Sequence, residues 1–355
     1  MTQSITVTPA QLRTFLTAVL GHYDLRPAAA SALIDHLVQA NLWGIDSHGL
    51  QQIIGYDQSL RSGRINPQPC LQIHRDRSTM IRIDADRAPG QYAAQVAMTE
   101  AIAQAHQVGI AVVGVTNSNH FGMAGYYTQM AAVAGMVGFA TSDTNVVDLA
   151  PYGGKTACLG NNPLAWGIPY GPTPIVLDMA AGTVSGGKVK HFGYQGLPIP
   201  SDWGLTATGE PTDIPQAVAV NRAASPKGSG MALVADLLCG PLLGTAAAMF
   251  KTKSIHDGLN GTGHFFGVLD VAVWCDPEVF AAEVGRAIAT LKQTPRLDPD
   301  QPLYFPGELA YLTEKTRTEQ GIPLPVALVQ ALANHFGLEC VKRHLAPDLS
   351  LSEQP

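Results

Sequence analysis

The run GIAVVGV at residues 109–115 is apolar throughout. A strand of that composition needs cover on both faces, so the chain must build a sheet with further layers packed against it. The flanking sequence fits. QYAAQVAMTEAIAQAH before it reads as an alanine-rich helix, MVGFATS after it as a second strand, and a helix is predicted between them near 123–134. CLQIHRD and TMIRIDA alternate like strands, PLAWGIP and PIVLDMA add short ones, and HFFGVLDVAVW (264–274) reads as another. The stretch 193–230 reads as loop, rich in Gly, Pro and Asp. Such mixing of strands and helices predicts an α/β or mixed α+β fold with a covered sheet.

Both ends of the chain read as helical. Thr8-Pro9-Ala10-Gln11 supplies a cap, a first-turn proline and a third-position glutamine. Arg26-Pro27 opens a second helix, a third is predicted from Gly49 to Gly63, and INPQPC (65–70) marks a boundary. From Pro277 the helices EVFAAEVGRAIATLK and PVALVQALANHFG follow, joined by a glycine-proline linker. A chain of 355 residues suffices for two domains. The expected division is a helical domain from residues 1–70 and 276–345, a β-rich domain from 71–275, and a tail at 346–355. HFG occurs three times in unrelated surroundings and marks no repeat.

A net charge of −6 and a pI near 6.0 argue against nucleic acid as the main partner, because phosphate binding needs a cationic face. MTQSITVTPAQL lacks the layout of a secretory signal. The five cysteines are widely spaced without a CxxC, which reads as buried free thiols in a reducing cytoplasm. MALVADLLCGPLLGTAAAMF (231–250) is long enough for a bilayer, but Asp236 and Gly240-Pro241 interrupt it. It is expected to be a helix buried in a soluble protein rather than a membrane span.

Three segments join reactive side chains to glycines: GIDSHG (44–49), NSNHFG (117–122) and SPKGSG (225–230). Histidine beside glycine at a strand end can reach a cleft, and its near-neutral pKa suits proton transfer. His48 and His120 have that setting, whereas His22, His74, His106, His256 and His344 read as surface or satisfied core residues. No GxGxxG opens a helix after a strand, and GTGHFFG (261–267) leads into a strand instead. Walker-type loops, GxSxG and the usual metal-ligand spacings are absent, so no metal site is expected.

The motifs DSHG (46–49), NSNHFGMAGYY (117–127), PYGG and LGNNPLAWGIP within 151–169, VLDMAAGTVSGGKV (176–189), PKGSGMALVADLLCGPLLG (226–244), GHFF (263–266) and FPGE (305–308) stand in an order that resembles one family. It is the type-2 malate/L-lactate dehydrogenase, or L-sulfolactate dehydrogenase-like, family. Ureidoglycolate dehydrogenase, 2,3-diketogulonate reductase and piperideine-2-carboxylate reductase belong to it. The resemblance implies a non-Rossmann fold and an NADH- or NADPH-dependent reductase of a 2-oxo acid or cyclic imine, acting as a cytoplasmic homodimer. It implies acid–base roles for His48 and His120, with Ser47 orienting substrate or histidine, and substrate contacts at Gln52, Tyr56 and Asn119. Cofactor contacts carry over to Val176, Leu177, Asp178, Met179 and Ala180, to Lys227 and Gly228, and to Pro306, Gly307 and Glu308. Other readings stay open: Ser47 as a helix cap, Lys227 as a solvated loop charge, Asp178 as a local cap or pair.

The chain departs from the family at position 52, where Gln replaces an arginine that grips the substrate carboxylate; Ile54, Thr206 and Ser229 also differ. Arginine makes a charge-assisted bidentate pair with a carboxylate, whereas glutamine offers one neutral donor group. Either another cation such as Arg222 takes over, or the substrate differs: an amide, an ester or an imine within a larger molecule. A cofactor-independent lyase or hydrolase using both histidines, and a non-catalytic binding protein on the same fold, are the alternatives to a reductase.

Overall fold

The computed structural model describes residues 4–144, 146–251 and 261–347. His256 and the tail from 348 onward lie outside them. Strand β1 (Ser4–Val7) leads into α1 (Pro9–Leu20), where the Thr8 and Gln11 side chains each accept the other's backbone N–H, the predicted capping box. Helix α2 (Pro27–Leu42) opens at its proline. The single helix predicted over 49–63 is not formed. Two 3-10 turns, Asp46–His48 and Leu50–Gln52, precede a shorter α3 (Ile53–Arg61). The break has a cause: Asn41 Oδ1 takes the Leu50 N–H at 2.7 Å and so diverts the chain at Gly49.

The middle of the chain contributes β2 (Gln72–Arg77), β3 (Met80–Asp84), α4 (Gly90–Val108), β4 (Ile110–Ser118), α5 (Ala124–Val133) and β5 (Met136–Ser142). Then follow β6 (Leu149–Ala150), β7 (Leu164–Ile168), β8 (Ile175–Met179), α6 (Gly186–Gln195), β9 (Gly204–Leu205), β10 (Pro211–Thr212), β11 (Val220–Arg222) and α7 (Pro226–Cys239). Three short strands, β9 to β11, and the start of α7 thus occupy the stretch 193–230 read as loop. Strand β12 (Thr262–Asp270) ends where α8 (Val271–Trp274) begins, because the Asp270 carboxylate caps Ala272. The chain closes with α9 (Pro277–Gln293), α10 (Glu308–Gln320), β13 (Ile322–Pro325), α11 (Val326–Phe336) and α12 (Leu338–His344).

Seven strands form the main sheet in the order β2-β3-β4-β12-β5-β7-β8. Only β3 and β4 run parallel; every other pair is antiparallel. This is not a doubly wound parallel sheet, which accounts for the missing dinucleotide fingerprint. Ala111, Val113 and Val115 of β4 are buried in one core with alanines of α4, and Leu243 lies against Gly114. The apolar strand therefore has cover on both sides, as its composition requires.

A second core is shared by the two ends of the chain. Leu12, Phe15 and Leu16 of α1 meet Leu328, Val329 and Leu332 of α11, and β1 pairs antiparallel with β13. Helix α9 contributes nothing to that core; its Gly285 faces Tyr170 instead. The apolar run 231–250 is not buried all round. Helix α7 buries Ala232, Ala235, Asp236 and Cys239 but leaves Leu233, Val234 and Leu237 exposed at 43%, 55% and 46%. Asp236 points inward, where its Oδ1 accepts the Ala248 N–H at 2.9 Å. All five cysteines are free, yet only Cys239 is buried, and Cys70 and Cys275 are exposed, because these two lie in surface connections rather than under the sheet. No helix among the described residues is long and apolar enough to cross a membrane.

Candidate active site

One end of the main sheet gathers polar residues. Strand β4 finishes at Ser118, β5 at Ser142, and antiparallel β12 begins beside both, with Thr262 paired to Ser118 and His264 to Ser142. Near the end of β4, Asn117 adopts a left-handed conformation with φ of 55°, and its Nδ2 donates to Asp84 at 2.9 Å. Asn119 then donates from Nδ2 to the carbonyls of Arg87 and Ala88, both at 2.9 Å. Gly122 completes the turn at φ of 80°, pressed so close to His36 that a Cβ would stand 2.0 Å from its Nε2. These ties hold the loop so that His120 faces a cavity of about 940 Å³.

His48 reaches the same cavity from the helical part of the chain. Its turn is fixed by Asp46, which accepts from Arg317 at 2.7 and 3.0 Å and from Asn41 at 2.6 Å. The rings of His48 and His120 stack with centroids 5.8 Å apart and planes 23° from parallel. Ser47 Oγ lies 2.9 Å from His48 Nδ1, so its hydroxyl serves the imidazole and caps no helix. Gln91 Nε2 donates to the Tyr56 oxygen at 2.5 Å, and that hydroxyl lies 2.7 Å from His120 Nδ1. Burial pushes the Tyr56 phenol pKa up, so the group stays protonated and donates to Nδ1. His120 accordingly carries its own hydrogen on Nε2.

Surrounding protein disfavours charge on both imidazoles. Burial lowers His120 to about 4, and burial together with the nearby His120 lowers His48 to about 3. His120 remains open to water on its cavity side, which works against that shift. Both rings are neutral at pH 7, and protonating one opposes protonating the other. Behind them lies His264, fully buried, with Ser142 Oγ 2.8 Å from Nδ1 and Ser118 Oγ 2.9 Å from Nε2, stacked on Phe121 at 4.6 Å.

Of the residues singled out from the sequence, Ser47, His48, Gln52, Tyr56, Asn119, His120, Asp178 and Ala180 line this one cavity. Asn119 does so with both amide hydrogens already engaged. Asp178, at the end of edge strand β8, accepts the Gly125 N–H at 2.8 Å, and burial raises its carboxyl to about 6 although the group itself is open to the cleft. Val176, Leu177 and Met179 belong to β8 but do not line the cavity, nor do Pro306, Gly307, Glu308, Lys227 and Gly228. Pro306 accepts the Val176 N–H at 3.0 Å, while Glu308 pairs with Lys292 and accepts the Phe305 N–H at 3.1 Å. Lys227 is exposed at the start of α7, and Gly228 beside it sits where a Cβ would stand 2.4 Å from the Ala181 carbonyl. Arg222 is placed on β11 and does not line the cavity.

Sequence reasoning missed several cavity residues. Arg64 and Lys190 line it, as does Asp143, whose carboxylate forms an ion pair with Lys251 at 2.5 Å, both side chains 0% exposed. Asp143 follows an apolar strand just as the His120 loop does, a signal that was available. Arg64 gave none. Asn162 also lines the cavity, and its Oδ1 is buried without a partner.

A nicotinamide dinucleotide fits this cavity on two grounds. Its volume is at the upper end of ligand clefts, and Asn162 leaves an acceptor unsatisfied where an amide or hydroxyl donor of a ligand would meet it. No group of three or more His, Cys, Asp or Glu side chains among the described residues has the arrangement of a metal site.

Residues 7–333 match the family model of malate/L-lactate dehydrogenases. A malate dehydrogenase from Pyrococcus horikoshii is 32% identical over 94% of this chain and 96% of its own. A solved malate dehydrogenase structure from the same organism superposes with a TM-score of 0.84 at 29% identity, covering 97% of each chain. An NAD(+) ureidoglycolate dehydrogenase from Escherichia coli O157:H7 is 30% identical over 87% of this chain and 89% of its own. The structure of a delta1-piperideine-2-carboxylate reductase from Pseudomonas syringae pvar. tomato matches with a TM-score of 0.80 at 25% identity, covering 93% of this chain and 99% of that one. The match over residues 7–333 and this full-length likeness make the chain a member of the malate/L-lactate dehydrogenase family.

Proposed function

We propose that this cavity carries out NADH- or NADPH-dependent reduction of C=O or C=N beside a carboxyl-type group, and the reverse oxidation, in a cytoplasmic homodimer. The observation that carries the reading is the stacking of His48 on His120 in a dinucleotide-sized cavity bordered by β8. When bound, the nicotinamide supplies or accepts the hydride. Asp178 and Ala180 would hold it from the cavity wall, and Val176, Leu177 and Met179 with Pro306–Glu308 form the outer support of that strand. Lys227 is an exposed cation at the start of α7, suited to a phosphate or ribose oxygen.

The protein's own residues handle the proton. His120 presents Nε2–H to the cavity because Tyr56 occupies Nδ1. In reduction, the His120 imidazolium gives its Nε2 proton to the oxygen or nitrogen on which charge develops and keeps the other on Nδ1, towards the Tyr56 oxygen. In oxidation, the neutral ring takes the hydroxyl proton on Nε2 once its own hydrogen stands on Nδ1, where the Tyr56 oxygen accepts it, and the depressed pKa values keep the ring neutral beforehand. An incoming carboxylate raises both values and so favours the imidazolium needed for reduction. Ser47 fixes the orientation of the His48 ring.

The exposed apolar face of α7, continued by Leu242 and Phe250, supports self-association. Membership of a dehydrogenase family weighs against a cofactor-free lyase or hydrolase and against a non-catalytic role. The test is titration with NADH and NADPH, followed by energy transfer and thermal shift, then turnover with 2-oxo acids and cyclic imino acids. A micromolar cofactor at a hundredfold excess stabilises the fold by about 2.7 kcal/mol. Absence of a shift with both nucleotides defeats the reading.

A further inference from the structure

Gln52 lines the cavity, and its side chain is already committed. Nε2 donates to the Ser47 carbonyl at 2.7 Å. A carbonyl oxygen only accepts, so the amide nitrogen must face Ser47 and Oε1 is the atom left for the cavity. Oε1 has no protein partner among the described residues. An acceptor there repels a carboxylate and welcomes an N–H or O–H.

Arg64 lines the same cavity, just beyond α3, whose Gly55, Tyr56 and Ser59 form the adjoining wall. The backbone around it is pinned. Arg87 Nη1 donates to the Gly63 carbonyl at 2.9 Å, Ile65 N to Ser59 O at 3.1 Å, and Asn66 N to Arg87 O at 2.9 Å. Arg64 is half-buried as a residue, and its guanidinium makes no hydrogen bond or ion pair among the described residues. The acids of the cavity are engaged elsewhere: Asp143 by Lys251, Asp148 by Asn221, Asp178 by Gly125. A cation in the wall of a cleft, with no protein partner there, is free to pair with an anionic ligand. Lys190, the other cation of the wall, is exposed and lies over the Tyr194 ring.

We propose that Arg64 is the carboxylate anchor of the substrate site and that Gln52 Oε1 accepts a hydrogen bond from a neutral donor on the same molecule. The substrate class is then a 2-oxo or imino acid with one carboxylate and an amide- or hydroxyl-bearing arm, not a dicarboxylate. This rests on the reductase reading above.

The experiment uses oxamate, with one carboxylate and one amide, and oxalate, with two carboxylates. Each is titrated into the full-length protein saturated with whichever nucleotide binds, and followed by nicotinamide fluorescence. Oxamate is expected to bind about tenfold more tightly than oxalate. Arg64→Gln should weaken oxamate by about ten- to a hundredfold with nucleotide affinity and Tm unchanged, and Arg64→Lys should recover part of the loss. Gln52→Arg should turn the preference towards oxalate. Wild-type oxamate affinity in Arg64→Gln, or a wild-type preference for oxalate, overturns the assignment. Failure of both nucleotides to bind overturns the reductase reading and this one with it, a result distinct from either of those.

Discussion

The Tyr56 hydroxyl lies 2.7 Å from His120 Nδ1 and receives the Gln91 amide at 2.5 Å. The two residues come from α3 and from the loop after β4, and their hydrogen bond decides which imidazole nitrogen faces the cavity. Tyr56→Phe removes that control and leaves the Gln91 amide buried without its acceptor. The expected outcome is a fall in kcat of about tenfold or more, unchanged nucleotide affinity, and a stability loss of about 1–3 kcal/mol. Steady-state kinetics and denaturant titration check both.

His48→Ala and His120→Ala should each lower turnover by about 10²–10⁴ while nucleotide affinity stays within a few-fold. In His120→Ala, the remaining His48 loses the neighbour that opposes its charge, so its pKa should rise. An NMR titration of that ring reads the change. Wild-type rates from both variants would remove the imidazoles from proton transfer.

Fully buried His264 has its pKa lowered to about 3 by desolvation, with nearby His120 adding to the effect. Between that value and its unfolded value of about 6.5, the unfolded chain binds the extra proton. Its contribution is therefore complete above about pH 6.5 and is lost as pH falls towards 3. Compared with His264→Gln, the wild type should lose stability on acidification by up to about 1.4 kcal/mol per pH unit in that window. Urea titrations of both proteins from pH 8 to pH 4 should show their difference shrinking, and a constant difference would contradict the assignment.

Lys251 and Asp143 form an ion pair with both side chains 0% exposed. Lys251→Met leaves a buried carboxylate that desolvation already raises to about 6. The expected loss is about 3–5 kcal/mol, with much of it recovered in Lys251→Met/Asp143→Leu. Thermal denaturation of the single and double variants is the measurement. Equal losses would mean that the lysine acts through packing alone.

Val234→Glu with Leu237→Glu places charge on the exposed face of α7, a site outside the cavity. The parent chain should have twice the monomer mass by light scattering, and this variant the monomer mass. A monomeric parent would remove the homodimer.

The sequence by itself determined the covered sheet, the capped first helix and the two histidine segments, because each depends on neighbours in the chain. A period of apolar residues, a Thr-to-Gln spacing or a strand running into NSNHFG is local information. It did not reveal α10, since ELAYLTEKTRTEQ buries no residue and so carries no apolar stripe. Nor did it reveal α6, a glycine-rich segment started by the Ser185 cap. Tertiary structure alone decided that Gln52 turns its amide onto Ser47, that Arg64 stands in the cavity wall without a partner among the described residues, and that Asp143 meets Lys251. Those outcomes depend on which distant segments become neighbours when the helical core and the sheet close on one cleft, and no local pattern records that.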